Sequence, residues 1–198
     1  MIGHAKIDIL LATMLFGAGF AMPVEALTVA AEIVVSVPDQ QIALLDRGKL
    51  IAKYPVSTSK FGIGDSLGSY RTPLGTLFVS GKFGDHLASG AVIKSRVPTG
   101  EVVEANAFGR DAIVSRVIWL RGMENQNRGA HDRCIYIHGT PEERRIGKPA
   151  SFGCIRMRSK DVIALYSLVH IGMHVTITQK RISGLLPPEE PSLLARSD

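Results

Sequence analysis

Cys154 follows a glycine in the segment Ser151-Phe152-Gly153-Cys154-Ile155-Arg156-Met157, and His138 stands sixteen residues upstream in Ile137-His138-Gly139-Thr140. A free thiol titrates near ~8.5 and is mostly protonated at neutral pH, so a cysteine nucleophile needs a base. It also needs main-chain N–H groups to hold an oxyanion, and a glycine beside the cysteine lets a substrate approach the backbone. A thiol, an imidazole and a glycine within twenty residues of chain fit acyl transfer through a thioester. Met157-Arg158-Ser159-Lys160 leads into a helical pattern. The dipole of that helix is expected to favour the thiolate.

The elements that must position these residues are mostly strands. Cys134-Ile135-Tyr136-Ile137-His138 alternates with a period of two, so Cys134, Tyr136 and His138 share one face and Ile135 and Ile137 the other. On one continuous strand Cys134 lies roughly 13 Å from His138. Cys134 is therefore expected to be a small packed side chain, distant from the reactive thiol and not disulfide-bonded to it. Residues 33–37, 41–45, 50–56, 74–80, 113–120 and 174–178 also read as strands, with turn chemistry at Asp46-Arg47-Gly48-Lys49. Residues 59–73 and 140–152 read as long loops, and 81–100 as a polar, Gly-rich stretch. Ser159 is expected to cap a helix with Val162, Leu165 and Val169 on its inner face and Gly172 at its end. Short strands with one helix imply a mainly β domain.

Composition bounds the setting. Lys6 precedes an apolar run from Ile9 to Met22, and Val24-Glu25-Ala26 supplies a small-residue cleavage signal, so residues 1–26 read as a Sec leader, with a retained membrane anchor or a buried helix as the alternatives. This places the protein in the periplasm or cell envelope. Removing those residues, which include Lys6, Asp8 and Glu25, would take the net charge from +5 to +6. A basic surface suits anionic partners, including peripheral contact with the envelope. Nucleic acid is excluded by export and by basic residues that are not clustered with aromatics. His86, His131, His170 and His174 are scattered, and no metal-ligand cluster is legible. Residues 184–198, with Pro187, Pro188 and Pro191, read as a loose tail. The sequence leaves the oligomeric state open.

The paired His-Gly-Thr and Ser-x-Gly-Cys-Ile-Arg-Met elements resemble those of the YkuD-type L,D-transpeptidases of bacterial cell walls. The likeness extends to Tyr54-Pro55-Val56-Ser57-Thr58-Ser59, Tyr70-Arg71-Thr72-Pro73-Leu74-Gly75 and Trp119-Leu120-Arg121-Gly122, over about residues 32–178. The resemblance implies a two-sheet β-sandwich with the catalytic turn at one end. It implies Cys154 as nucleophile and His138 as base. It further implies Gly139 as the carbonyl that orients the imidazole, main-chain N–H groups around Gly153 and Cys154 as oxyanion donors, and Tyr136, Ser151 and Arg156 as substrate-binding residues. Arg156 is equally suited to bracing the turn. The implied partners are two peptidoglycan stem peptides, donor and acceptor, with no cofactor. One departure stands out: many members carry histidine where this chain has Phe152, and phenylalanine offers no hydrogen bond. Histidine before cysteine is the reverse of the papain order. Sortases share the order but usually place their arginine on a later strand. An L,D-carboxypeptidase, another envelope cysteine hydrolase and a non-catalytic wall-binding protein are the competing readings.

Overall fold

A computed structural model describes residues 31–186, and the leader expected at 1–26 and the tail beyond Leu186 lie outside them. The described chain forms β1 (Ala31–Ser36), β2 (Gln41–Asp46), β3 (Lys49–Pro55), β4 (Gly75–Phe83), β5 (Ala91–Lys94), β6 (Val97–Val102), β7 (Val114–Gly122), β8 (Tyr136–Gly139), β9 (Ile155–Met157), α1 (Ser159–Leu168) and β10 (His174–Thr178). The mainly β architecture with one α-helix is as expected.

The strands follow the order β3-β2-β1-β10-β4-β7-β5-β6, and β8 and β9 branch from β7. The two halves of the expected sandwich are therefore linked edge to edge through β7. Their inner faces share one core. Ile33 and Val35 of β1, Leu77 and Val79 of β4, Ile118 and Leu120 of β7, Ile137 of β8, and Ile155 and Met157 of β9 meet Val162 and Leu165 of α1 there. The helix presents Val162 and Leu165 inward, as read from the sequence, and Val169, just past its end, is buried with them. It ends at Leu168, and Gly172 (φ +88°) lies in the turn that leads into β10. Burying each large aliphatic side chain contributes about 1.5–3 kcal/mol.

The β2–β3 connection has Arg47 and Gly48 at φ +49° and +77°, the two positive values that a type I′ hairpin turn requires. A second hairpin, β5–β6, turns at Ser95 and Arg96 (φ +50° and +67°) inside the stretch expected to be irregular. Its outer strand, Val97–Val102, is exposed throughout and contains Pro98 and Gly100, so it carries no apolar alternation to read. On the far side of β1 and β2, Val34, Ala43 and Leu45 are covered by Ile182, Leu185 and Leu186. The segment expected to become loose at Gly184 thus starts with two packed leucines.

Candidate active site

β8 is the strand that fixes the site. It pairs antiparallel with β7 and parallel with β9, with Ile137 opposite Ile155 and His138 opposite Arg156. Ile137, Ile155 and Met157 point into the core. Alternation therefore sends Tyr136, His138 and Arg156 to the opposite face. Cys154, one residue before β9, continues that face beside Tyr136, whose N–H lies 3.4 Å from the Cys154 Sγ. On such a ladder Cys154 and His138 are diagonal neighbours, with Cα atoms roughly 8 Å apart. Both side chains face the same way.

His138 is buried, and its Nδ1 lies 2.8 Å from the Gly139 carbonyl oxygen. A carbonyl can only accept, so the neutral ring carries its proton on Nδ1 and keeps a lone pair on Nε2. Burial lowers the imidazole to about 4, with Arg156 adding to the effect and the Gly139 bond opposing it. Burial also raises the Cys154 thiol to about 11, against the opposing pull of the Tyr136 N–H and of Arg156. The resting pair is thus a neutral thiol and a neutral base. The helix dipole expected to favour thiolate does not prevail: β9 intervenes, α1 starts only at Ser159, and the Ser159 N–H donates to Glu143 Oε1 at 2.8 Å. Arg158, not Ser159, occupies the cap position.

The cysteine turn is braced from within. Gly153 adopts φ +120°, a conformation that side chains rarely take. The Ser151 hydroxyl donates to the Cys154 carbonyl at 2.6 Å and accepts from the Gly153 N–H at 3.2 Å. Two expectations change as a result. Ser151 is fully buried and spends its hydroxyl inside the turn, not on a substrate. The Gly153 N–H is engaged, and the Cys154 N–H is the one for which no acceptor occurs among the described residues. Arg156 is buried and donates to Asp111 Oδ2 at 2.7 Å and Glu142 Oε2 at 3.1 Å, which makes it a brace. The Tyr136 hydroxyl accepts from Arg96 Nη1 at 3.1 Å, so this residue reaches the thiol through its main chain and not as a free substrate contact.

The sequence profile described as the L,D-transpeptidase catalytic domain, YkuD, matches residues 30–177. The chain belongs to this family. It is 28% identical to the YkuD protein of Bacillus licheniformis over 151 residues, which cover 76% of this chain and 67% of that one. It is 39% identical to the YkuD protein of Bacillus subtilis over 87 residues, covering 44% and 48%. A solved L,D-transpeptidase from Mycobacterium smegmatis shares the fold with a TM-score of 0.51 at 18% identity, over 75% of this chain and 58% of that chain. This chain therefore spans less than two thirds of that solved relative.

In this L,D-transpeptidase domain several supporting residues escape sequence reasoning. Thr72 Oγ1 donates to the Gly153 carbonyl at 2.9 Å and accepts from the Ser59 N–H at 3.0 Å. Arg133 donates to the Arg71 carbonyl at 2.6 Å and to Asp65 Oδ1 at 2.8 Å, tying the 59–73 loop to the turn that precedes β8. Thr72 lies in the Tyr70-Arg71-Thr72-Pro73 landmark, which was the only available signal. Phe152, 48% exposed, meets Phe61 and Tyr70 at 5.7 and 5.9 Å between ring centroids, with Lys60 Nζ 4.3 Å from the Phe152 ring centre. At Phe152 this domain thus has an aromatic and cationic rim. A cleft of about 610 Å³ opens beside Arg133, lined also by Asp65, Leu67 and Arg128.

Cys134 does not stand where the alternating pattern places it. The strand begins at Tyr136, and Cys134 sits in the preceding turn at φ +55°. That turn folds its carbonyl back to 3.3 Å from Cys154 Sγ, so Cys134 adjoins the Cys154 thiol instead of standing apart from it. Both thiols are free.

Proposed function

We propose that this domain is a cysteine-dependent L,D-transpeptidase that acts on peptidoglycan stem peptides. The observation that carries the reading is the shared face of Cys154 and His138, with the imidazole fixed by Gly139 so that Nε2 is free to take a proton. The Nε2 lone pair would remove the thiol proton as sulfur attacks the carbonyl of the third residue of a tetrapeptide stem. The Cys154 N–H would support the oxyanion, and a single such donor is typically worth ~3 kcal/mol. His138 would then return the proton to the departing terminal D-amino acid. The thioester conserves the energy of the broken peptide bond. An amine of a second stem would collapse it, giving a crosslink between diaminopimelate residues. Water as acceptor would give a shortened stem. Arg133 and Arg156 add positive potential at the thiol, which suits substrates that carry carboxylates. Such substrates call for an envelope location, which a leader at residues 1–26 would provide.

The test is incubation with purified muropeptides followed by mass spectrometry. A crosslinked dimer from wild type and none from Cys154→Ala is the expected result. A shortened stem alone would assign hydrolysis, and unchanged stems from folded wild type would overturn the enzymatic reading.

A further inference from the structure

We propose that Cys134 and Cys154 are an oxidisable pair that closes, with a hydroperoxide as oxidant, into an intramolecular disulfide that reversibly caps the Cys154 sulfur. These are the two cysteines of the chain, and both are free and half-buried. The Cys154 Sγ lies 3.3 Å from the Cys134 carbonyl oxygen. With ordinary backbone bond lengths this places that sulfur within about 6 Å of the Cys134 Cα. Both side chains pack against one apolar cluster, formed by Ile93, Val117 and Tyr136. Disulfide-linked residues have Cα atoms ~4.4–6.8 Å apart, so closure asks for side-chain rotation and a small adjustment of the turn. Cys134 lies outside the β-ladder, and such an adjustment breaks no strand pair.

The chemistry balances in two steps. One sulfur, as thiolate, attacks the terminal oxygen of the hydroperoxide. The O–O bond breaks, an alcohol (water, for hydrogen peroxide) leaves, and the sulfur becomes a sulfenic acid. The second thiol then attacks that sulfur, the S–O bond breaks, and water leaves with the remaining proton. Together the two sulfurs lose two electrons and two protons. A dithiol reverses the change by exchange. Because thiolate is the attacking species, closure should accelerate as pH rises. The bond would shield Cys154 from irreversible sulfinic and sulfonic oxidation. Its effect on turnover rests on the acyl-transfer reading above, but its formation does not.

The experiment treats folded wild type, Cys134→Ser and Cys154→Ala with hydrogen peroxide, then denatures and alkylates the remaining thiols. Intact-mass and peptide mass spectrometry follow. Wild type should lose about 2 Da, leave no alkylatable thiol, show one linked peptide pair containing residues 134 and 154, and revert with dithiothreitol. Cys134→Ser should instead gain about 16–48 Da at Cys154 and fail to revert fully. Two alkylatable thiols in treated wild type would overturn the proposal, as would oxygen addition at Cys154 without the linked pair. The mass readout needs no turnover. A missing disulfide therefore leaves the transpeptidase reading untouched, and a disulfide in a protein inert toward muropeptides overturns only that reading.

Discussion

A buried imidazole held near 4 and a thiol held near 11 make the proposed catalytic pair neutral over the whole ordinary pH range. Activity that depends on the Nε2 lone pair should fall as pH drops through about 4, where His138 protonates. The same shifts act on stability. His138 titrates at 6.5 when unfolded, so the unfolded chain binds the extra proton first, and stability should decline from pH 6.5 down to about 4. The loss amounts to roughly 3 kcal/mol. The thiol is raised from 9.0 to about 11, so its contribution is complete below 9 and is lost as pH climbs to 11. Melting curves against pH should therefore lose part of their alkaline decline in Cys154→Ala; an unchanged decline would show that the thiol is not held in its protonated form. His138→Ala should cost ~100- to 10,000-fold in rate, far more than Phe152→Ala, whose ring exchanges no proton. A larger loss in the Phe152 variant, measured as kcat/KM on stem peptides, would shift the proton chemistry elsewhere. Cys134→Ala should keep substantial activity, because alanine retains the carbonyl that faces Cys154. That His138 and Cys154 come together was legible because histidine and cysteine stand in recognisable local contexts. The nearness of Cys134 was not, since a five-residue alternation looks the same whether its first residue is in a strand or in a left-handed turn.

At the scale of elements, the site depends on three short pieces held in register: β8, β9 and the 57–72 segment. Ser57 and Arg156 exchange main-chain hydrogen bonds at 2.9 Å in both directions, and Thr72 holds the Gly153 carbonyl. Arg156 anchors β9 through Asp111 and Glu142, which are themselves partly exposed. Arg156→Met should thus lower stability by about 2 kcal/mol, short of the cost of a fully buried pair. A denaturant midpoint unchanged from wild type would return Arg156 to the role of substrate ligand. Gly153→Ala should be worse for the turn than its volume suggests, since φ +120° is strained for alanine and the new Cβ would lie 3.3 Å from the Arg71 carbonyl. The long strands β1, β2, β4, β7 and β10 were legible from their apolar runs. β9 was not, because three residues carry no measurable periodicity and its pairing partner is remote in sequence. β6 was not, because it buries neither face. The bracing by Thr72 and Arg133 was hidden for a related reason: a hydrogen bond across 81 or 62 residues leaves no local pattern.

Over the whole molecule, one core buries the inner faces of both halves of the sheet, and Lys60 stands exposed at the rim of the cysteine turn, with the paired Arg133 and Arg156 buried behind it. The net charge of +5 makes encounter with anionic substrates dependent on salt. If the domain works as proposed, Cys154 is the residue that becomes acylated. A carbapenem tests it without assuming any acceptor, because its strained lactam carbonyl offers the thiol an acyl group and its carboxylate is drawn to the basic rim. The decisive measurement is intact-protein mass spectrometry of wild type and Cys154→Ala after incubation with the drug, at low and high salt. One drug mass should add to wild type, more slowly at high salt, and none to Cys154→Ala. The same adduct on both proteins, or no adduct on folded wild type, would contradict it.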